Sequence, residues 1–319
     1  MTPNPTGPIA DLRYRNYDGK LLPPNQMWWV IARQSIAQAL KKKSLWFLMA
    51  ASGWYYIIMI IILFFVEQNA AGSEMAKVAM EQFLEGIVWK DQFLNGFVFA
   101  QLSLLLVTLM IGSGTIANDN RANALLVYLS KPCSKLDYLV GKWIGVFLPL
   151  FVLLGTPTLL FYVYGALTFS QYGFISADPW ILPKMVVVVA ISAAIHSSLI
   201  VGVSSLFNQG RLAGATYAGI YFLSNFFTVL MSFFFQFSKG KAPDAVQYLT
   251  YASIDGIQTG IAKAILNTKG SPPFGFMPRN PATPIPAPNL TVALLLTGLV
   301  CAVALFAAWR RVRAVEVIG

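Results

Sequence analysis

IGSGTIANDNRANALLVYLSKPCSKLDYLVGKW, residues 111–143, leaves one long apolar run, carries charge for a short distance and enters another apolar run. The hydrocarbon of a bilayer tolerates no unpaired backbone polar groups, so such a segment belongs outside it. It holds Asp119, Arg121, Lys131, Lys135, Asp137 and Lys142, a net charge of +2. Pro132 interrupts any helix running through it. Ser134 and Asp137 have the spacing of a capping box that opens the next helix. The reading is a structured, charged elbow between two membrane helices, suited to a protein partner.

Composition extends that reading to the rest of the chain. Hydrophobic residues make up 56% and charged residues 11%, against roughly 25% charged in an average soluble protein. The charges leave six gaps, at 44–66, 92–118, 143–177, 185–210, 212–238 and 280–309, the shortest of 23 residues. A spanning helix needs about 20 apolar residues, so the expected fold is an all-α membrane protein with six transmembrane helices. Lys and Arg set the orientation. With both termini inside, 15 of the 23 basic residues lie inside, and the whole net charge of +10 falls on the cytoplasmic face. That asymmetry suits contact with anionic membrane lipid. Nucleic acid is not expected as a partner, because no soluble basic domain exists to bind it. Residues 1–25 lack the apolar core of a secretory signal, so the first span is expected to remain as an anchor. Cys133 and Cys301 fall on the elbow and within the sixth span, where neither favours a disulfide.

Residues 1–25 read as an irregular cytoplasmic tail, 26–43 as an amphipathic helix, and 44–319 as the membrane domain. In the helix, Trp28, Ala32, Ile36, Ala39 and Leu40 recur at three- and four-residue steps, while Arg33, Gln34, Gln38 and Lys41 point elsewhere. Its tryptophans and the Lys41, Lys42, Lys43 cluster suit the headgroup layer. The loop after the first span has helical character, with Met80, Phe83, Leu84 and Ile87 on one face. The turn Asn208-Gln209-Gly210-Arg211 makes the fourth and fifth spans antiparallel neighbours. The longest outside segment is 239–289. Its part 243–266 reads as helical, and 271–288 as a proline-rich extended stretch.

Several chemistries are excluded by what the residues lack. No phosphate-binding Gly-x-x-x-x-Gly-Lys-Ser/Thr loop occurs, so the chain is not expected to bind or hydrolyse ATP. One histidine and two separated cysteines make no usual metal site. A hydrolase would have to use His196, which lies beside Ser197 and Ser198 in a span without an acidic residue. A buried polar residue bonded to a neighbouring helix is the simpler reading of His196, ahead of a place on a substrate path. The spans hold almost no charge, which argues against proton-coupled transport through buried carboxylates and against an ion channel. Uncharged polar residues gather on the fourth and fifth spans instead: His196, Thr216, Ser224, Asn225 and Thr228, with Tyr217 among the aromatics. They fit either a route for an amphipathic or lipid-like solute or ordinary helix packing.

The elbow resembles the intracellular loop of ABC-2 type transporter permeases, through Asp119, Arg121, Leu125, Leu126, Ser130, Pro132, Ser134, Lys135, Gly141 and Lys142. It departs from the family pattern at Asp119, where Glu is usual, at Asn123 and Ala124, where Gly-Thr is frequent, and at Cys133, which replaces an apolar residue. The 26–43 helix is similar to the family's interface helix, and 243–266 to its re-entrant segment before the last span. The resemblance implies a non-enzymatic permease subunit, with ATP and Mg held by a separate ABC ATPase. It implies a second permease subunit, identical or not, and export across a bacterial cytoplasmic (inner) membrane. Asp119, Arg121, Lys131, Ser134 and Lys135, supported by Lys41, Lys42 and Lys43, become the expected ATPase contacts. The rival class is a non-transporting membrane anchor or assembly factor that recruits a cytoplasmic partner through the same elbow.

Overall fold

Long apolar runs can satisfy their own backbone in lipid only as helices or closed barrels, and here the described residues are helical throughout, with no strand. The computed structural model describes residues 26–70, 73–124, 133–238, 243–271 and 285–312. The 1–25 tail, most of the proline-rich stretch, Lys131 and the 125–132 part of the elbow lie outside them. In chain order the helices are α1 (Met27–Leu40), α2 (Lys43–Ser52), α3 (Trp54–Ala70), α4 (Glu74–Glu85), α5 (Trp89–Gly112) and α6 (Ala117–Arg121). There follow α7 (Lys135–Thr168), α8 (Phe174–Ala177), α9 (Ile181–Ser205), α10 (Gly210–Phe237), α11 (Asp244–Leu249), α12 (Ile254–Leu266) and α13 (Leu290–Arg311).

Five helical stretches are long and apolar enough to cross a membrane: α5 with α6, α7, α9, α10 and α13. The pair α2 and α3 passes the same test together, bent by 47°, and supplies a sixth when counted as one span. The bend falls at Gly53, where an added Cβ would stand 2.9 Å from Cβ of Pro157. A contact with α7 that only glycine permits therefore sits at the break.

The core lies among α3, α5, α7 and α9. Tyr56 stacks on Phe161 with ring centres 5.0 Å apart, Phe93 meets the same ring edge-on at 5.1 Å, and the Tyr56 hydroxyl donates to the Phe93 carbonyl. On one flank Trp89, Phe169 and Phe174 form a second aromatic group. The apolar windows of α10 and α13, by contrast, are only 17% and 11% buried. These two helices form the outer faces.

The N-terminal helix keeps most of its sequence pattern: Ala32 and Ala39 are buried, Trp28 and Ile36 half-buried, and Arg33, Gln34, Gln38 and Lys41 exposed. α1 buries Ile31, Ala32 and Ala39, while Leu40 is 45% exposed. The reason is the surface it meets. α7 offers Gly141 and Gly145, whose missing Cβ atoms would stand 2.6 Å from the Trp28 carbonyl and 2.5 Å from Cβ of Ser35. Small residues bring the two backbones together along that stripe. A departure from the sequence reading concerns 243–266. Its helix breaks between α11 and α12, because Ser253 is extended and its hydroxyl accepts from the Gly256 N–H, capping a new helix.

Candidate functional site

Two polar constellations stand out from the apolar frame. The first is the elbow. α5 ends at Gly112, and the turn beyond it is held by Ser204 of α9. The Ser204 hydroxyl accepts from the N–H groups of Ile116 and Ala117, both at 3.0 Å, and donates to the Ser113 carbonyl at 2.8 Å. Asn120 donates to the carbonyls of Ser205 and Phe207. α6 is thereby fastened to the end of α9. Asp119 fastens it to α7, since its Oδ2 accepts from the Tyr138 hydroxyl at 2.7 Å and pairs with Lys142 Nζ at 2.7 Å. The capping box read from the sequence is formed: Ser134 Oγ accepts from the Asp137 N–H, and the Asp137 carboxylate accepts from the Ser134 N–H.

Of the residues expected to meet a partner, Arg121, Ser134 and Lys41, Lys42 and Lys43 are exposed, Lys135 is half-buried, and Asp119 turns inward to Tyr138 and Lys142. Lys42 also donates to the Met110 carbonyl at 2.7 Å, tying the α1–α2 junction to the end of α5. A cavity of about 730 Å³ opens among these elements, with Lys42, Asp119, Arg121, Lys142 and Arg211 at its walls.

The second constellation is interior, where α12 leans against α9 and α10. His196 is fully buried halfway along α9. Its Nε2 lies 3.0 Å from Gln258 Nε2, and its Nδ1 lies 2.8 Å from the Tyr217 hydroxyl. The Gln258 amide nitrogen also donates to the Ile254 carbonyl. With the amide so placed, His196 Nε2 accepts from it, Nδ1 is the nitrogen that carries the proton, and Gln258 Oε1 is left buried without a partner. One step further, the Asp255 Oδ2 accepts from the Tyr221 hydroxyl and from Asn225 Nδ2, and Thr228 reaches Ser253 at 3.2 Å. The residues His196, Tyr217, Asn225 and Thr228 are thus brought together. Ser224 bonds its own helix at the Tyr221 carbonyl, and Thr216 is exposed, so these two stand apart.

Asp255, Gln258 and Ser253 fall in 243–266, which reads as helical and similar to a re-entrant segment, but only the polar residues of the fourth and fifth spans were singled out from the sequence. A signal was present: Asp255 sits in an amphipathic run with Gly256 and Gly260, where an acidic residue has no reason to face lipid. Among the described residues the side chains within hydrogen-bonding distance of His196 are Thr108, Tyr217 and Gln258, none of them acidic. Nor do three His, Cys, Asp or Glu side chains gather anywhere among them to hold a metal ion.

A helical frame of this length and apolarity, with a fastened polar elbow and a polar interior, defines a polytopic integral membrane protein. The sequence model of the family described as ABC-2 family transporter protein matches residues 29–312, and the chain belongs to that family. It is therefore the membrane component of an ABC transporter, and its family implies an ABC ATPase as partner. No curated protein matches the chain.

Proposed function

We propose that this chain is the six-span permease subunit of an ATP-driven exporter of an amphipathic or lipid-like solute. Both termini are cytoplasmic, α12 re-enters the membrane from outside, and two permease subunits pair with two ATPases that carry the ATP and Mg. The single observation that supports this reading most is the fastening of the elbow. Asp119 ties α6 to α7, and Ser204 ties the same turn to α9. Force applied to the elbow by a closing ATPase pair is then delivered to two core helices, one of which carries His196. A loosely tethered recruitment loop has no need of such bonds. Arg121, exposed beside them, is the contact through which the ATPase pushes, with Lys135, Ser134 and the Lys41–Lys43 cluster around it.

Arg121→Glu is the test. The variant is expected to insert in the membrane at normal levels and to lose transport by about tenfold or more, while the ATPase still hydrolyses ATP. Transport at the wild-type rate would remove the elbow from the mechanism. Purification in mild detergent, with identification of what accompanies the protein, checks the partner. A stoichiometric ATPase with a phosphate loop is expected. A different stable partner, and no ATPase, would move the protein to an anchoring or assembly role.

A further inference from the structure

A second cavity lies on the other side of Asp255. It measures about 490 Å³ and is walled by Trp54 of α3, Phe99 and Leu102 of α5, and Tyr221 and Phe222 of α10. Two polar side chains line it whose bonding is unfinished. Gln101 is 4% exposed, and neither its Oε1 nor its Nε2 has a partner. The Oδ1 of Asp255 is buried and equally bare. Its other oxygen takes only neutral donors, Tyr221 and Asn225. Among the described residues no Lys or Arg pairs with Asp255.

Each bare buried polar atom costs about 1–3 kcal/mol, and an uncompensated charge costs more. Asp255 lies in the first turn of α12, where the helix dipole favours the ionised carboxylate. Trp54, Gln101 and Tyr221 fall near the middle of the bent α2–α3 pair, of α5 and of α10, so on the spanning reading Asp255, which lines the cavity beside them, lies well inside the bilayer. An ionisable group at that depth calls for a partner of opposite charge. Aromatic faces around a carboxylate are the arrangement that holds a soft, weakly hydrated cation. A small inorganic cation needs a shell of oxygen ligands, which the aromatic walls do not offer.

The geometry points to this cavity as a binding site for a lipophilic organic cation. Asp255 supplies the counter-charge and the rings of Trp54, Phe99, Tyr221 and Phe222 supply the walls, with Gln101 among the residues that line them. The cavity's size falls within the range of small-molecule sites. The inference rests on the exporter reading and narrows its solute to a cationic amphiphile.

The experiment is equilibrium binding of labelled tetraphenylphosphonium to the full-length protein in lipid nanodiscs, with tetraphenylborate as the control of like shape and opposite charge. Tetraphenylphosphonium is expected to bind, tetraphenylborate not to compete, and Asp255→Asn to weaken binding by about tenfold or more. Asp255→Glu keeps the charge and is expected to retain most of the binding, and Gln101→Leu to weaken it. These two variants decide the matter should Asp255→Asn not be recovered folded. No binding of the phosphonium, equal binding of both ions, or binding indifferent to Asp255 and Gln101 would overturn the site. The readout needs neither ATP nor a partner. Asp255-dependent binding without any co-purifying ATPase would keep the site and sink the exporter reading, and the reverse pattern would do the opposite.

Discussion

Asp119 shows how far a single residue's role depends on partners distant in sequence. Its place in the charged elbow marks it as a contact for another protein, yet its carboxylate is occupied by Tyr138 and Lys142, with side chains only 18% and 10% exposed for Asp119 and Lys142. Breaking such a half-buried pair on one side leaves an uncompensated charge, whereas removing both charges is far better tolerated. Lys142→Met is therefore expected to destabilise the protein by about 2–3 kcal/mol, and Asp119→Asn with Lys142→Met to recover most of that loss. Thermal unfolding of the purified variants in one detergent measures the cycle. A double variant as unstable as Lys142→Met alone would show that Lys142 acts through other contacts. The same distance effect explains what the sequence left unread. Ser204 counts as one more polar residue of a span until Ile116 and Ala117 are seen to donate to it from 88 and 87 residues away. Asp255 is one more charge of a helical segment until Tyr221 and Asn225 of α10 are seen to donate to it.

At the scale of helices, most boundaries were legible, because charge-free runs of spanning length have no alternative to helix in lipid. What escaped is the pairing of faces. The spacing of Trp28, Ala32, Ile36, Ala39 and Leu40 marks the inward stripe of α1, but not the surface it meets, Gly141 and Gly145 of α7. Gly145→Leu is expected to lift α1 from α7, since even a Cβ there would stand 2.5 Å from Cβ of Ser35. Limited trypsin digestion should then cut within Lys41–Lys43 several-fold faster than in the wild type. An unchanged cleavage rate would mean that α1 is held by something other than this seam. At the opposite end, Asp178 joins α5 to α9 through Lys90 at 3.4 Å and Lys184 at 2.6 Å. Burial raises the Asp178 carboxyl, but the two lysines outweigh it and hold the carboxyl below its ordinary value of 3.8. A depressed carboxyl contributes stability that is present above the unfolded value and lost as pH falls through the folded one. Asp178→Asn is accordingly expected to cost about 1–3 kcal/mol near neutrality, with the gap to the wild type closing once the pH drops below 3.8. A constant gap across that window would detach the ion pairs from stability.

For the whole molecule, sidedness is the property on which every proposed contact depends. The sequence carries it as an excess of basic residues on one face, and the folded chain gathers Lys42, Arg121, Lys142 and Arg211 around one cavity on that face. Cys133 sits at the edge of the elbow, half-buried and unpaired, and Cys301 lies within α13. With Cys301→Ser, Cys133 becomes a single reporter of the side on which the elbow stands. A membrane-impermeant maleimide should label it in inside-out vesicles and not in intact cells. Lys77→Cys on α4, a side chain 53% exposed in the loop expected outside, should show the reverse. Burial pushes the Cys133 thiol above its ordinary value, and the nearby Asp137 carboxylate adds to the shift. The thiolate is the reacting form, so labelling of Cys133 should be slow near neutrality and quicken steadily as the pH rises. Labelling of Cys133 from outside intact cells would invert the topology. It would put the elbow out of reach of any ATPase in the cytoplasm and take Arg121 with it.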